Sequence, residues 1–474
     1  MQRRNFVKTT TLASAGLMLG KAATGTGPFN NFPEVRVPAA QRHFSSPAVE
    51  ALIAEVKSKV RNPEIGWLFE NCFPNTLDTT VHFEYIGGKP DTYIITGDID
   101  AMWLRDSTAQ VWPYLPLMKQ DPKLQELIKG VINRQTKCIL LDPYANAFFK
   151  DFGKESEWKN DHTKMQPGIH ERKWELDSLC YPVRLAYAYY QTTGDTSVLD
   201  SSWVKAMQLI LQTFKEQQRF NDRGPYTFQR TTSWATDGVP LSGYGYPVKP
   251  NGLIVSVFRP SDDATVFPFL IPSNFFAVEA LKQMAHLLAL PALGKTAIAN
   301  EATALQQQVQ KALQQHGIIN HPMFGRIIAF EVNGFGSFHI MDDANVPSLL
   351  SLPYLGAIAT GDPLYLNTRK VVLSENNPFY YKGKAAAGIG GPHTGFDTIW
   401  PMSIIMQAIT SESDKEIAAC IETLRATHAG TGFMHESFHK DDPGKFTRKW
   451  FAWANTLFGE MIWKVYRERK HLLV

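Results

Sequence analysis

Residues 259–290 read RPSDDATVFPFLIPSNFFAVEALKQMAHLLAL, and two textures meet in them. The first half is crowded with acids, prolines and aromatic residues, as expected of a loop that carries chemistry. From 274 to 290 the apolar side chains recur at helical spacing. The same junction of an acid- and aromatic-bearing polar loop with an apolar helix returns at 97–107, 171–178, 341–345, 388–395 and 430–445. With 259–274 that makes six polar loops, each next to helices. Helices bury their apolar stripes on one another. This order predicts a toroid of helix pairs whose polar loops converge at one end and line a central pocket.

The flanking segments agree. Ser46 reads as an N-cap with Pro47 at the first helical position, and Val49, Leu52, Ile53, Val56 and Val60 then share one face. Asp121-Pro122 repeats this start signal ahead of Leu124, Leu127, Ile128, Val131 and Ile132. Helical periodicity continues over 176–192, 202–219, 297–316, 398–410, 413–427 and 451–469, with Ser413 and Glu416 spaced as a capping box. Strand signals are few. Segments 81–86 and 91–96 flank Gly87-Gly88-Lys89-Pro90, and 327–332 and 335–341 flank Asn333-Gly334, both hairpin patterns. The expected fold class is mainly α, with short inserted β-hairpins. A single domain should run over 46–474, behind a linker at 24–45 rich in Gly, Pro, Asn and Ala.

The formal charge of +3 is set by the first 23 residues, which hold Arg3, Arg4, Lys8 and Lys21 and no acid. Without them 44 basic groups face 45 acidic ones, a balance that gives no electrostatic bias toward nucleic acid. Arg3-Arg4-Asn5-Phe6-Val7-Lys8, a weakly apolar stretch over 9–20 and small Ala22-Ala23 have the make-up of a twin-arginine export signal. The expectation is a signal peptide at 1–23, a periplasmic or secreted protein, and no membrane anchor once that segment is removed, because the apolar stretch is too short to span a bilayer. The four cysteines, Cys72, Cys138, Cys180 and Cys420, match no metal spacing and read as small buried side chains.

The polar segments carry Asp98, Asp100, Arg105 and Asp106, then Glu171, Glu175 and Asp177, then Asp262 and Asp263, then Asp342, Asp343, His393, His435 and Glu436. Trp103, Trp174, Trp400 and Trp450 are interleaved with them. Acids accept hydrogen bonds from vicinal hydroxyls and an indole covers the apolar face of a pyranose, so converging loops of this make-up suit a sugar. Hydrolysis of a glycosidic bond needs two of the carboxylates, one on each side of it. Adjacent Asp262 and Asp263 would raise one another's pKa if both pointed into one pocket. If they diverge, burial must tune the acid instead. Taken singly, Asp262 is as readily a helix cap as a catalytic group.

Four segments resemble hallmarks of glycoside hydrolase family 125, in order along the chain: GDIDAMWLRDS at 97–107, RPSDDA at 259–264 followed by IPSN at 271–274, MDDANVPSLL at 341–350, and GFMHESF at 432–438. The similarity runs from about residue 47 to 469. It implies an (α/α)6 barrel and an inverting exo-α-mannosidase acting on α-1,6-linked mannose, typically of N-glycan type, with neither metal nor cofactor. The resemblance also implies an Asp general acid in the Ser-Asp-Asp-Ala segment and a Glu general base in the His-Glu-Ser-Phe segment. Here these are Asp263, with Asp262 its close rival, and Glu436. Trp103, Arg105, Asp106, Glu175, Asp177, Asp262, Asp343, His393 and His435 are the candidates for holding a mannose-containing oligosaccharide.

His435-Glu436-Ser437-Phe438-His439 also matches H-E-x-x-H, a zinc-protease pattern that works only on a helix. Gly430 and Gly432 before it and Asp441-Asp442-Pro443-Gly444 after it make this a loop, and His439 reads as structural. The competing functional readings are another helical-barrel glycosidase, a phosphorylase needing one carboxylate and a phosphate site, and an exported sugar-binding protein without an acid–base pair.

Overall fold

A computed structural model describes residues 32–474. The twin-arginine reading at 1–23 and the start of the linker fall outside the described residues. Residues 32–45, expected as linker, lie against the domain. The Trp67 indole donates to the Pro33 carbonyl at 3.0 Å, and the Arg36 guanidinium reaches Asp78 at 2.7 Å.

The helices in chain order are α1 (Pro47–Lys59), α2 (Pro63–Cys72), α3 (Asn75–Thr79), α4 (Leu104–Val111), α5 (Pro122–Leu141), α6 (Leu176–Thr193) and α7 (Ser201–Gln217). Then come α8 (Ile271–Leu288), α9 (Thr296–His316), α10 (Pro363–Val372), α11 (Pro401–Ile409), α12 (Asp414–Thr427) and α13 (Ala452–Glu468). Start signals in the sequence are used as written. Ser46 Oγ accepts from the Val49 N–H at 3.3 Å and donates to Asp121 Oδ2 at 2.5 Å, while Asp121 Oδ1 caps α5 through the Lys123 and Leu124 N–H groups. Ser413 caps α12, but Glu416 pairs with Arg369 and Gln407 rather than reaching back, so the capping box is half made.

The chain forms an (α/α)6 barrel. Helices α4, α6 and α8 pack in succession, α11 packs on α13, and α13 closes on α4. Turns at 342–361 fill the remaining inner place, tied to α6 by Tyr181 and Arg184 and to α13 by Tyr354 and Glu460. Helices α5, α7, α9, α10 and α12, with α1 and α2, form the outer layer. The inner helices are buried on nearly every face because both sides are covered; in α13 nearly every residue from Ala452 to Val465 is buried.

Short sheets fill the ends. Strands β1 (Val81–Ile86) and β2 (Lys89–Ile94) pair as the hairpin expected there, turning on Gly87-Gly88, both at positive φ. A three-stranded sheet joins β3 (Met102–Trp103), β4 (Ala147–Phe148) and β5 (Ile169–Glu171). The second expected hairpin is divided. Strand β6 (Phe269–Leu270) belongs to a later sheet, and β7 (Ile318–His321) pairs β8 (Gly325–Ile328), which takes residues 327–328. β9 (Glu331–Val332) pairs both β6 and β10 (Phe338–His339). Val332 opposes Phe338, so Asn333-Gly334 opens a five-residue loop in which Asn333 Oδ1 caps the Phe335 and Ser337 N–H groups. Last come β11 (Tyr380–Lys382) with β12 (Ala387–Ile389), and β13 (Thr398–Ile399), β14 (Ser437–His439) and β15 (Asp442–Thr447) in one sheet. The four cysteines are buried and free. No helix among the described residues is long and apolar enough to cross a membrane.

Candidate active site

Inner helices start where polar loops end. Trp103 precedes α4 with Arg105 and Asp106 in its first turn, Glu175 precedes α6 with Asp177 in its first turn, Trp400 precedes α11, and Phe451 precedes α13 with Trp453 in its first turn. Carboxylates in a first helical turn meet the positive end of the helix dipole. The loops enclose a pocket. Trp103, Trp400, Phe451 and Trp453 give it aromatic walls, Arg105, Asp106 and Asp262 lie on one side, and Glu436, Arg448 and His393 supply further polar groups.

Arg105 is the hub of the first side. It is 3% exposed, yet its guanidinium reaches Glu175 at 2.5 Å, Asp177 at 3.2 Å, Asp262 at 3.4 Å and Asp106 at 3.5 Å. Asn146 Nδ2 adds donors to Glu175 at 3.1 Å and Asp262 at 3.2 Å. Four carboxylates around one cation cannot all ionise cheaply in a dry site. Burial pushes Asp106 up to about 6 against the pull of Arg105, with the Asp262 charge adding to the rise. Burial likewise lifts Asp177 to about 6, and it holds Glu175 well above the usual carboxylate range, helped by Asp262.

Glu436 stands at the entrance of β14. Asn455 Oδ1 takes the Met434 N–H at 2.8 Å, and the Phe451 N–H donates to the Met434 carbonyl at 3.0 Å, which locks the loop before it to the start of α13. The Glu436 side chain is 9% exposed, with Arg448 Nε 3.5 Å from Oε1.

The sequence candidates divide accordingly. Trp103, Arg105, Asp106, Asp262, His393 and Glu436 line the pocket, while Glu175 and Asp177 stand behind Arg105. Asp263 is not on the wall. Asp262 takes φ +67°, which turns the two neighbours apart. Asp263 is 1% exposed, with Oδ1 3.3 Å from His393 Nδ1 and Oδ2 accepting from Ser261 at 3.3 Å. Burial alone would raise it; His393, Thr236 and Arg259 outweigh that and hold it below the usual range. Asp343 is a buried brace that accepts from Ser261 at 3.0 Å and from Asn345 at 3.1 Å. His435 faces away from the pocket. Its ring stacks on Phe446 at 3.8 Å, Nδ1 lies 3.0 Å from the Lys449 carbonyl, and burial lowers its pKa.

The H-E-x-x-H run is not helical: 437–439 is a strand, and His439 Nδ1 accepts from the Asp441 N–H. Of the tryptophans, Trp174 is a core residue donating to the Val255 carbonyl at 2.7 Å, and Trp450 faces a second groove beside Asn71 and Asp78. Asn146, Arg448 and Trp453 were not singled out from sequence. Asn146 sits among small and aromatic residues, Arg448 follows an exposed strand, and Trp453 reads as one apolar position of a core helix, so none carries a local signal.

Comparison with known proteins shows the family. The family described as metal-independent α-mannosidase, GH125, matches residues 62–463. The meiotically up-regulated gene 157 protein of Schizosaccharomyces pombe is 43% identical over 466 residues, covering 94% of this chain and 91% of that protein. A metal-independent α-mannosidase of Streptococcus pneumoniae, solved as a non-productive substrate complex with α-1,6-mannobiose, superposes with a TM-score of 0.86 at 40% identity, covering 90% of this chain and all of that one. A bacterial glucoamylase solved with acarbose shares the fold alone, with a TM-score of 0.52 at 13% identity over 88% of this chain and 57% of that one. The chain belongs to the metal-independent α-mannosidases of glycoside hydrolase family 125.

Proposed function

We propose that this hydrolase is an inverting exo-α-1,6-mannosidase that releases the non-reducing terminal mannose of N-glycan-type or mannan oligosaccharides, with Asp262 as general acid and Glu436 as general base. The observation that carries the reading is the pair itself: two carboxylates from separate loops line one pocket, together with buried Arg105 and Trp453. The α-1,6-mannobiose bound by the streptococcal relative supports the linkage. Asp262 replaces Asp263 as the acid in this reading. Asp263 is walled off and held ionised, whereas Asp262 reaches the pocket beside Arg105 and Asn146.

In the reaction the terminal mannose lies against the tryptophans with its hydroxyls toward Arg105, Asp106 and His393. Asp262 gives its proton to the departing glycosidic oxygen as the C1–O bond breaks. Glu436 takes a proton from a water that attacks C1 from the opposite face. The product is β-mannose, and a second proton exchange with solvent resets the pair. No step calls for a cation, because the two carboxylates carry both protons.

With α-1,6-mannobiose, Asp262→Asn and Glu436→Gln should each lower turnover roughly 10²–10⁴-fold, and Asp263→Asn should cost clearly less. A normal rate in Asp262→Asn with a dead Asp263→Asn would return the acid to Asp263. Activity in both Asp262→Asn and Glu436→Gln would end this mechanism, and a wild-type chain that leaves α-1,6-mannobiose intact would end the proposed specificity.

A further inference from the structure

Lys173 is completely buried, outside the pocket wall, at the end of β5. Its ammonium lies 2.8 Å from Asp237 Oδ1, 3.4 Å from Glu171 Oε1 and 2.9 Å from the main-chain carbonyl of Asp262. Two of these are hydrogen bonds, to Asp237 and to the Asp262 carbonyl, and Glu171 adds an ion pair. A buried cation needs such pairing to persist, and a purely structural role would be to neutralise Glu171 and Asp237. Arg230 already serves both, at 2.9 Å and 3.7 Å. Beyond that pairing, Lys173 donates to the main-chain carbonyl of residue 262.

That hold falls on an unusual conformation. Asp262 lies at φ +67°, a region that a side-chain-bearing residue enters only when its surroundings impose it. The Asp262 N–H donates to the Arg259 carbonyl at 2.9 Å, closing the turn, and the carbonyl end is fixed by Lys173. With both ends of residue 262 held, its carboxylate is delivered to Arg105 and Asn146. The same small sheet supplies all three partners: Arg105 follows β3, Asn146 precedes β4, and Lys173 follows β5, its own N–H donating to Asn146 Oδ1 at 3.1 Å.

We propose that Lys173 is the positioning residue of the general acid, setting the direction of the Asp262 carboxylate through its main-chain carbonyl; the inference rests on the assignment of Asp262 above. The role is separable from folding by the leaving group. A mannosyl oxygen must be protonated as it departs, whereas fluoride leaves as an anion and depends far less on the acid. Both substrates need Glu436 and the attacking water equally.

The test compares α-1,6-mannobiose with α-mannosyl fluoride in the wild type, Lys173→Met, Asp237→Asn and Asp262→Asn. Lys173→Met should lose about 10²-fold in kcat on the disaccharide, the scale of a misplaced catalytic group, while fluoride release stays near the wild-type rate. Asp237→Asn, which loosens one anchor of the ammonium, should show a smaller loss with the same selectivity, and it decides the matter if Lys173→Met does not fold. Equal losses on both substrates, or none, overturn the inference. A variant Asp262→Asn that fails to separate the two substrates overturns the acid assignment instead, so the two failures are distinguishable.

Discussion

Four carboxylates and one guanidinium share a volume from which water is almost excluded, and their protons are the price of that arrangement. Burial lifts Asp106 and Asp177 from the ordinary value of 3.8 to about 6. Between those values the folded chain binds more protons than the unfolded chain, so this contribution to stability falls as pH rises from about 4 to 6 and is level above that. Asp263 and Glu331 are shifted downward and act the other way, losing their contribution only as pH falls below the unfolded range. Urea unfolding at pH 5 and pH 7 should therefore show a wild-type slope that Asp106→Asn reduces; an unchanged slope would mean that Asp106 titrates normally. The sequence shows that these acids belong together, because they recur in loops beside helices. It does not show which of Asp262 and Asp263 faces the pocket. That is decided by the sign of one φ angle, held by a lysine 89 residues away.

At the scale of elements, local chemistry is legible where it is self-contained. Ser46-Pro47 and Asp121-Pro122 start helices because a side-chain acceptor and a preset φ suffice. Helix α4 is hidden, since its eight residues carry Arg105, Asp106, Ser107 and Gln110 and read as a polar loop; only burial by neighbouring helices makes those polar groups helical and interior. Close approach is also invisible locally. Gly130 lies inside α5, where alanine ordinarily gains up to about 1 kcal/mol. Here a Cβ would meet Thr92 Oγ1 at 2.3 Å and the Thr92 backbone nitrogen at 2.9 Å. Gly130→Ala should consequently destabilise the fold by about 1–3 kcal/mol, the scale of overpacking, which thermal unfolding would register. A stabilised variant would show that β2 can withdraw from α5.

At the scale of the whole molecule, the pocket exists only when the ring closes. Arg105 belongs to the first inner helix, Asp262 to the loop before the third, and Glu436 to the loop before the last, so residues more than three hundred positions apart meet where inner helices begin. The repeated junction of polar loop and apolar helix made the toroid legible, and the four family-like segments named its chemistry. The fourth inner place, filled by turns at 342–361 instead of a regular helix, carries no periodicity by which sequence could find it. The central claim is that this ring presents an acid and a base to opposite faces of one α-linked mannose. Proton NMR of the first turnovers on α-1,6-mannobiose tests it directly: the account predicts β-mannose as the initial product, with the α anomer growing in only by mutarotation, and α-mannose appearing first would contradict it.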